Sequence, residues 1–156
     1  MAITVRRATP SDADGILACL RAAFAPFQSS YTPAGYLDTV LTPDTLASRF
    51  KTMSLFVAVA EEGRLVGTIA CARAVNAEGH LRGMAVLPEE QGSEVAGRLL
   101  EQAEAELRAL GCRRVTLDTT EPLKRAMRFY ERHGYRPTGR VADFFGMPLH
   151  EYAKAL

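Results

Sequence analysis

The segment with the clearest chemical potential runs from Met84 to Leu100 and reads MAVLPEEQGSEVAGRLL. An apolar strand end leads into a tight turn of small residues, and helical spacing follows from about Glu94. The first amides of a helix have no intrahelical acceptor, and the helix dipole is positive there. The arrangement therefore predicts a phosphate-binding site. A strand-to-helix turn that binds nothing is an equal alternative on the turn alone.

A second segment lies about thirty residues downstream and reads AMRFYERHGY, from Ala126 to Tyr135. Leu123, Ala126, Met127 and Tyr130 share one helical face, so periodicity alone favours Tyr130 as a core aromatic residue. Its place before a glycine stop, and after the upstream turn, favours a functional role instead.

Together the two segments resemble the motifs of the GCN5-related N-acetyltransferase (GNAT) superfamily. The first resembles the pattern Q/R-x-x-G-x-G/A, with Gln91 at its first position and Ala96 at its last, but Glu94 stands where the family has glycine. The second resembles A-x-x-F/L-Y-x-x-x-G-F/Y. Leu123 replaces an asparagine that is frequent in the family. The element order resembles the family over the whole chain, but only residues from Gly79 to Tyr135 carry specific motifs.

The resemblance implies that acetyl-CoA lies in a cleft between two splayed strands, which end near Val86 and Asp118. Backbone groups of Met84, Ala85 and Val86 would pair with the pantetheine arm, and the amides that follow would hold the pyrophosphate. The remaining cofactor-binding residues implied are Gln91, Gly92, Ser93, Glu94, Val95, Ala96, Gly97, Arg98, Phe129 and Tyr130.

The resemblance also implies an N-acetyltransferase that acts on a primary amine of a small molecule or a protein. The amine attacks directly, so no protein nucleophile is needed, and Tyr130 would donate a proton to the departing thiolate. Cys71 and Cys112 therefore need no covalent role.

The attacking amine must be neutral, which requires a base or a water relay. Four residues qualify by type and position, and the sequence does not choose among them or water: Glu78, His80, Asp118 and Glu121.

Two regions are expected to form the acceptor pocket: the segment between the first two helices, and the loop before the last strand. Aromatic residues in these loops indicate an apolar or aromatic acceptor, and packing beneath loops is an equal alternative. The residues concerned are Phe27, Tyr31 and Tyr36 in the first region, and Asp143, Phe144 and Phe145 in the second.

A different class of function is a non-catalytic module of the same fold that binds a ligand or partner and holds coenzyme A weakly or not at all. Glu94 and Leu123 are the residues that support it. A nucleotide-binding βαβ protein is disfavoured, because the chain lacks a glycine triad and a well-placed ribose-binding acid.

These residues need a framework of alternating elements to position them. Ser11 and Asp14 are typical of a helix start, and the stripe from Ala13 to Phe27 predicts a first helix. Pro43 predicts the first turn of a second helix, and Gly111 predicts a left-handed cap. The remaining predicted elements are strands over 3–7, 55–60, 65–74, 79–87, 113–118, 135–138 and 149–155, and helices over 94–110 and 122–133.

This order predicts a single α+β domain over residues 1–156, an α/β sandwich. Its central sheet should be mixed and mostly antiparallel, flanked by helices, with a cleft between two splayed strands.

Composition argues against several classes of protein. The 47% hydrophobic content over 156 residues is enough for a buried core, and a net charge of +1 argues against a nucleic-acid surface. No apolar run has the length of a membrane span, and the N-terminus lacks the pattern of a signal peptide. Three scattered cysteines predict neither a disulfide framework nor a metal site. We expect a cytoplasmic protein without a metal. The sequence does not determine the oligomeric state, although homodimers are common in the family that the chain resembles.

Overall fold

The computed structural model describes residues 2–156 and contains one mixed sheet of seven strands. The strands lie in the order β1-β2-β3-β4-β5-β7-β6, and only β4 and β5 are parallel to each other. The predicted mixed, mostly antiparallel sheet is confirmed. The strands are β1 (Ile3–Arg7), β2 (Ser54–Ala60), β3 (Leu65–Arg73), β4 (Glu78–Val86), β5 (Arg114–Thr120), β6 (Arg136–Phe144) and β7 (Met147–Ala155).

Within the described residues 2–156, five α-helices flank this sheet. They are α1 (Ala13–Phe24), α2 (Pro33–Thr39), α3 (Pro43–Thr52), α4 (Val95–Ala109) and α5 (Lys124–Arg132). Apolar residues of α1 and α3 pack on one face, and those of α4 and α5 on the other. The predicted stripe of α4 is buried from Val95 to Leu107, whereas Leu110 lies beyond the helix and is exposed. Gly111 has a φ of +85° and forms the predicted left-handed cap.

The start of the first helix differs from the prediction. The Thr9 backbone N–H donates to Asp12 at 2.8 Å, and a short 3₁₀ turn over Pro10–Asp12 precedes α1. The pair Ser11 and Asp14 was therefore the wrong start signal. Asp12 marks the helix start instead. Arg6 of β1 also binds its carboxylate through both terminal guanidinium nitrogens, which connects the helix start to the sheet.

Other elements also differ from the prediction. The residues after α1 form a 3₁₀ segment over Ala25–Ser30 that includes Phe27, and α2 was not predicted at all. The helix expected from Pro122 begins only at Lys124. The last two strands are longer than predicted and form a hairpin in which β6 is exposed almost throughout.

The central pair of strands separates halfway along its length. β4 and β5 pair from Glu78 with Arg114 to Leu81 with Leu117, and no further. Just beyond, the register of β3 against β4 shifts, so that Gly83 and Met84 together face a single residue of β3. Such a bulge bends a strand, and the φ of +63° at Gly83 is one that glycine adopts readily. The predicted cleft between splayed strands is present at this place.

A buried ionic cluster joins α4 to the last hairpin. The Glu104 carboxylate accepts a hydrogen bond from the Tyr135 hydroxyl at 2.7 Å and from Lys154 Nζ at 3.0 Å. Glu104 is 5% exposed and Tyr135 is fully buried. Because a buried carboxylate is costly without partners, this cluster fixes how the hairpin docks on α4.

Candidate active site

A cavity of about 880 Å³ opens where β4 and β5 separate. It runs from the N-terminus of α4, along the free half of β4, to the helices on the opposite face of the sheet. We call the part beside α4 and α5 the cofactor end, and the part beside α1, α2 and α3 the acceptor end. The cofactor end is lined by residues 91–94, 96–98, 125–126, 129–130 and 132–133. A volume of this size is typical of a small-molecule site.

Twelve of the thirteen residues that the sequence assigned to cofactor binding line this cavity: Met84, Ala85, Val86, Gln91, Gly92, Ser93, Glu94, Ala96, Gly97, Arg98, Phe129 and Tyr130. Val95 does not. Its side chain is fully buried in the core, because α4 turns its apolar stripe toward the sheet. The Val95 N–H instead donates to Ser93 Oγ at 3.4 Å.

The turn before α4 presents free backbone donors. Among residues 2–156, the N–H groups of Gly92, Ala96 and Gly97 have no acceptor. The last two belong to the first turn of α4, where the dipole favours an anion. Gly92 has a φ of +85°, which reverses the chain at this point. Gln91 supports the turn from beneath, since its Nε2 donates to the Val86 carbonyl at 3.2 Å.

Basic side chains surround the same turn, and the sequence motifs did not predict them. A Cβ built on Gly92 would lie 2.9 Å from Arg125 Nη2, so the Arg125 guanidinium covers the turn. Arg132 and His133 line the cavity beside it. The His133 ring donates through Nδ1 to the Phe129 carbonyl at 2.9 Å, which leaves Nε2 facing Gly97. The cofactor end therefore fits a polyanion.

The two departures from the family pattern sit at the edge of this end. Glu94 caps α4 with an ordinary helical φ of −76°, so no glycine is required there by the backbone. Its side chain is 61% exposed and lies 3.9 Å from Arg98 Nη1, which offsets its charge. Leu123 lines the cavity immediately before α5.

Tyr130 stands in the wall of the cavity with its ring against other aromatic rings. Its ring centroid is 5.4 Å from that of Phe129 and 5.7 Å from that of Tyr135, in edge-to-face geometry. Within residues 2–156 its hydroxyl has no hydrogen-bond partner. Burial raises the pKa of the Tyr130 phenol, so it stays protonated at neutral pH and can donate.

Of the four candidate bases, two line the cavity and two do not. His80 and Asp118 face each other across the last paired residues of β4 and β5, with 3.7 Å between His80 Nε2 and Asp118 Oδ2. Glu78 lies at the start of β4 and forms an ion pair with Arg114. Glu121 is exposed and accepts a hydrogen bond from His150 Nε2 at 3.2 Å.

His80 is held in a defined orientation. Its Nδ1 lies 2.9 Å from Thr116 Oγ1, and that hydroxyl lies 3.5 Å from the Gly79 carbonyl. If the Thr116 hydroxyl donates to the Gly79 carbonyl, it accepts a hydrogen bond from the Nδ1–H of His80. The Nε2 of the neutral imidazole then carries no proton. Burial lowers the pKa of His80, and Asp118 partly opposes that shift. Burial likewise raises the pKa of Asp118, while His80 lowers it.

The acceptor end combines aromatic walls with charged side chains. Three of the six predicted residues line it, namely Phe27, Tyr31 and Phe144, whereas Tyr36, Asp143 and Phe145 do not. Tyr36 instead supports Tyr31, with the two ring centroids 6.2 Å apart. Other residues that line this end were not predicted: Phe24, Asp38, Arg49, Arg82 and Leu149.

One polar atom in the wall is unsatisfied. Thr119 lines the cavity, and its hydroxyl is buried without a partner within residues 2–156. A buried hydroxyl without a partner is uncommon. The free amides and the basic rim at the cofactor end together fit an anionic ligand such as a polyphosphate.

Two further features bear on the class of protein. Within residues 2–156, no group of three or more His, Cys, Asp or Glu side chains is arranged to hold a metal ion. In the same residues, no helix has both the length and the apolarity to cross a membrane. The three cysteines are buried and unpaired there.

Residues 18–135 match the family model described as the acetyltransferase (GNAT) family. A search of curated proteins finds no match for this chain.

Solved structures share the fold across the chain. A GNAT-family acetyltransferase from Staphylococcus aureus Mu50 has a TM-score of 0.81 and 17% identity, covering 99% of each chain. The paia N-acetyltransferase from Thermoplasma acidophilum, solved with coenzyme A, has a TM-score of 0.81 and 17% identity, covering 100% of each chain. The ribosomal-protein-S18-alanine N-acetyltransferase from Escherichia coli has a TM-score of 0.79 and 17% identity, covering 99% of this chain and 94% of that one.

Proposed function

Because the chain belongs to the acetyltransferase (GNAT) family, we propose that it transfers an acetyl group from acetyl-CoA to a primary amine. The observation that carries this proposal is the continuity of the cavity. The cavity extends from the N-terminus of α4, whose free amides can bind an anion, to the imidazole of His80 and the carboxylate of Asp118. The protonated phenol of Tyr130 lies in its wall.

The cofactor end would hold the phosphates of acetyl-CoA. The N–H groups of Gly92, Ala96 and Gly97 donate to the pyrophosphate, and Arg125 adds charge above the turn. A guanidinium binds phosphate through paired donors, and a helix N-terminus binds it through backbone amides. The free edge of β4 from Met84 to Val86 is placed to pair with the pantetheine arm.

Acetyl-CoA supplies an acetyl thioester, whose C–S bond breaks as the amine nitrogen forms its bond to the carbonyl carbon. Tyr130 gives its phenolic proton to the sulfur that leaves. The raised pKa of Tyr130 keeps that proton available at neutral pH. No cysteine takes part, since all three are buried away from the cleft.

His80 takes the proton that the amine loses. Its lowered pKa keeps the imidazole neutral at pH 7, so it can accept a proton. Asp118, 3.7 Å from Nε2, stabilises the imidazolium that results. The position of both residues in the cavity favours them over Glu78 and Glu121, which have other partners.

The alternative of a non-catalytic module draws less support from Glu94 than the sequence suggested. The carboxylate is exposed and offset by Arg98, so its repulsion of a bound phosphate is screened. An unpartnered phenol and a neutral histidine in one cavity are arrangements that catalysis uses and that binding alone does not require.

Ligand stabilisation followed by turnover tests the proposal. Acetyl-CoA at a hundred times its dissociation constant should stabilise the fold by about 2.7 kcal/mol, whereas adenosine should not, because it lacks the phosphates. Release of free thiol with a panel of primary amines then reports transfer. No melting shift at millimolar acetyl-CoA would disprove cofactor binding. A shift without thiol release across the panel would favour the non-catalytic module.

A further inference from the structure

Arg49 is a charged residue of the cavity that the mechanism above does not use. It lies in the last turn of α3, and its guanidinium points into the acceptor end. A Cβ built on Gly83 would lie 2.6 Å from Arg49 Nη1, so the guanidinium rests directly on the bulge of β4. Only a residue without a side chain leaves this space.

The neighbouring carboxylates are already engaged. Asp38 accepts a hydrogen bond from Arg82 Nη2 at 3.0 Å, and Asp118 faces His80. Asp38 is near enough to favour the charged form of Arg49 but does not contact it. Within residues 2–156, no hydrogen bond or ion pair satisfies the Arg49 side chain.

A half-buried guanidinium without an acceptor is unfavourable, and it presents several donors in a fixed plane. Burial, with Arg82 close by, lowers the pKa of Arg49 to about 10. The group therefore remains charged at neutral pH. A carboxylate matches its geometry through two parallel hydrogen bonds, better than any neutral group does.

The position of Arg49 relates this anion to the reacting amine. Gly83 directly precedes Met84, where the pantetheine arm is proposed to pair, and His80 is three residues earlier on the same strand. Beside the paired Asp38 and Arg82, this end also has an apolar surface, formed by rings and aliphatic groups of Phe24, Phe27, Phe144 and Leu149. An acceptor held here needs an amine near β4, an anion beside it, and an apolar remainder.

We infer that the acceptor is a free amino acid with an apolar or aromatic side chain, and that Arg49 binds its carboxylate. The inference rests on the proposed acetyl transfer and adds the class of acceptor. The carboxylate fixes the amine between His80 and the thioester, and the side chain lies against the aromatic wall. A protein N-terminus has no carboxylate beside its amine and would leave Arg49 unsatisfied.

Matched pairs of acceptors test this directly. L-phenylalanine and phenethylamine differ only by the carboxylate, as do L-leucine and 3-methylbutylamine. With saturating acetyl-CoA and thiol release as the readout, kcat/KM should be at least tenfold higher for each amino acid. Equal or higher kcat/KM for the decarboxylated amines, or for a peptide with a free N-terminus, would overturn the inference.

Two variants assign the preference to Arg49. Arg49→Gln should reduce the ratio of kcat/KM between amino acid and amine to near one, chiefly through KM, and Arg49→Lys should give an intermediate ratio. Arg21→Gln is the matched control, since Arg21 is an exposed residue of α1 outside the cavity. An unchanged ratio in folded Arg49→Gln would show that another group selects the carboxylate.

A binding measurement separates this inference from the proposed function. By calorimetry, N-acetyl-L-phenylalanine should bind the wild type at least tenfold more tightly than N-acetylphenethylamine, and Arg49→Gln should remove that difference. This result does not depend on turnover. If acetyl-CoA binds and amines react but the two products bind equally, the carboxylate site is wrong and the transferase remains. If acetyl-CoA neither binds nor reacts while the product preference holds, the proposed transfer fails, and only the carboxylate site at Arg49 stands.

Discussion

Burial raises the pKa of the Tyr130 phenol, and within residues 2–156 its hydroxyl has no hydrogen-bond partner. Edge-to-face contacts with Phe129 and Tyr135 hold its ring in place, so loss of the hydroxyl should leave the packing intact. A substitution that removes only the hydroxyl of Tyr130 can therefore test proton donation without disturbing the packing of its ring.

We expect Tyr130→Phe to fold normally and to lose turnover by about a hundredfold, the usual contribution of a positioned acid. Steady-state thiol release with a reactive amine measures the loss, and thermal melting checks the fold. Tyr152→Phe is the control, because Tyr152 is buried and lies outside the cavity. Unchanged turnover in Tyr130→Phe would mean that water protonates the thiolate.

Asp118 provides a second residue-scale test, through its effect on His80. Burial lowers the pKa of His80 and Asp118 raises it, so removing the charge should lower that pKa further. Loss of activity on the acid side, where His80 becomes protonated, should then begin at lower pH. A charge pair about 4 Å apart is worth ~1 kcal/mol in a water-like medium, which corresponds to roughly one pH unit.

The pH profile of kcat/KM for wild type and Asp118→Asn measures this shift. Deprotonation of the amine substrate contributes equally to both profiles and cancels in the comparison. A shift of the acid limb to higher pH, or none, would contradict the proposed pair. Complete loss of turnover in Asp118→Asn would instead indicate that Asp118 is itself the base.

At the scale of elements, two glycines shape the site. Gly83 bends β4 away from β5 and makes room for Arg49, and Gly92 turns the chain so that the amides of α4 face the cavity. Both have a positive φ, a conformation that costs other residues about 1–2 kcal/mol. The glycine that matters in this turn is therefore Gly92, whereas the position of Glu94 has ordinary helical geometry.

We expect Gly92→Ala to weaken acetyl-CoA binding by about tenfold or more, as measured by calorimetry. The added Cβ would lie 2.9 Å from Arg125 Nη2 and would strain the turn that presents the amides. Gly63→Ala is the matched control. Gly63 has a φ of +86°, but nothing lies within 4 Å of its Cβ position and it is outside the cavity. Both variants should lose about 1–2 kcal/mol of stability, and only Gly92→Ala should lose affinity. Equal affinities would show that the turn does not contact the phosphates.

At the scale of the whole molecule, the cluster of Glu104, Tyr135 and Lys154 connects the cofactor face to the last hairpin. The ring of Tyr135 also packs against that of Tyr130, so the cluster connects the stability of the fold to the wall of the cavity. A carboxylate that is 5% exposed depends on its partners.

We expect Lys154→Met to lower the free energy of unfolding by about 2 kcal/mol, below the usual range for a buried pair because Arg108 remains near the carboxylate. Denaturant unfolding at neutral pH measures the change. Arg140→Met removes an ion pair of which Arg140 is 75% exposed, and should change stability by less than about 0.5 kcal/mol. Similar losses in the two variants would show that the buried cluster contributes no more than a surface pair.

The sequence by itself determined the family, the mixed sheet and most of the cofactor end. These features are local in the chain: the turn from Gln91 to Gly97 precedes its helix directly, and the α4 stripe repeats at helical spacing. Local patterns of this kind report backbone conformation and one-sided burial, which is why twelve of the thirteen residues predicted to bind the cofactor line the cavity. The side chain of Val95 does not, because the same spacing that starts a helix also turns its first apolar residue toward the core.

Only the tertiary structure decided which polar residues meet. The pairing of His80 with Asp118 depends on the register of two parallel strands joined by a long crossover, and Arg49 reaches Gly83 because a bulge bends β4 beneath α3. No spacing within α3 distinguishes Arg49 from an ordinary helix-end cation. The acceptor end is assembled from elements distant in sequence, so its chemistry appears only when the sheet brings those elements together.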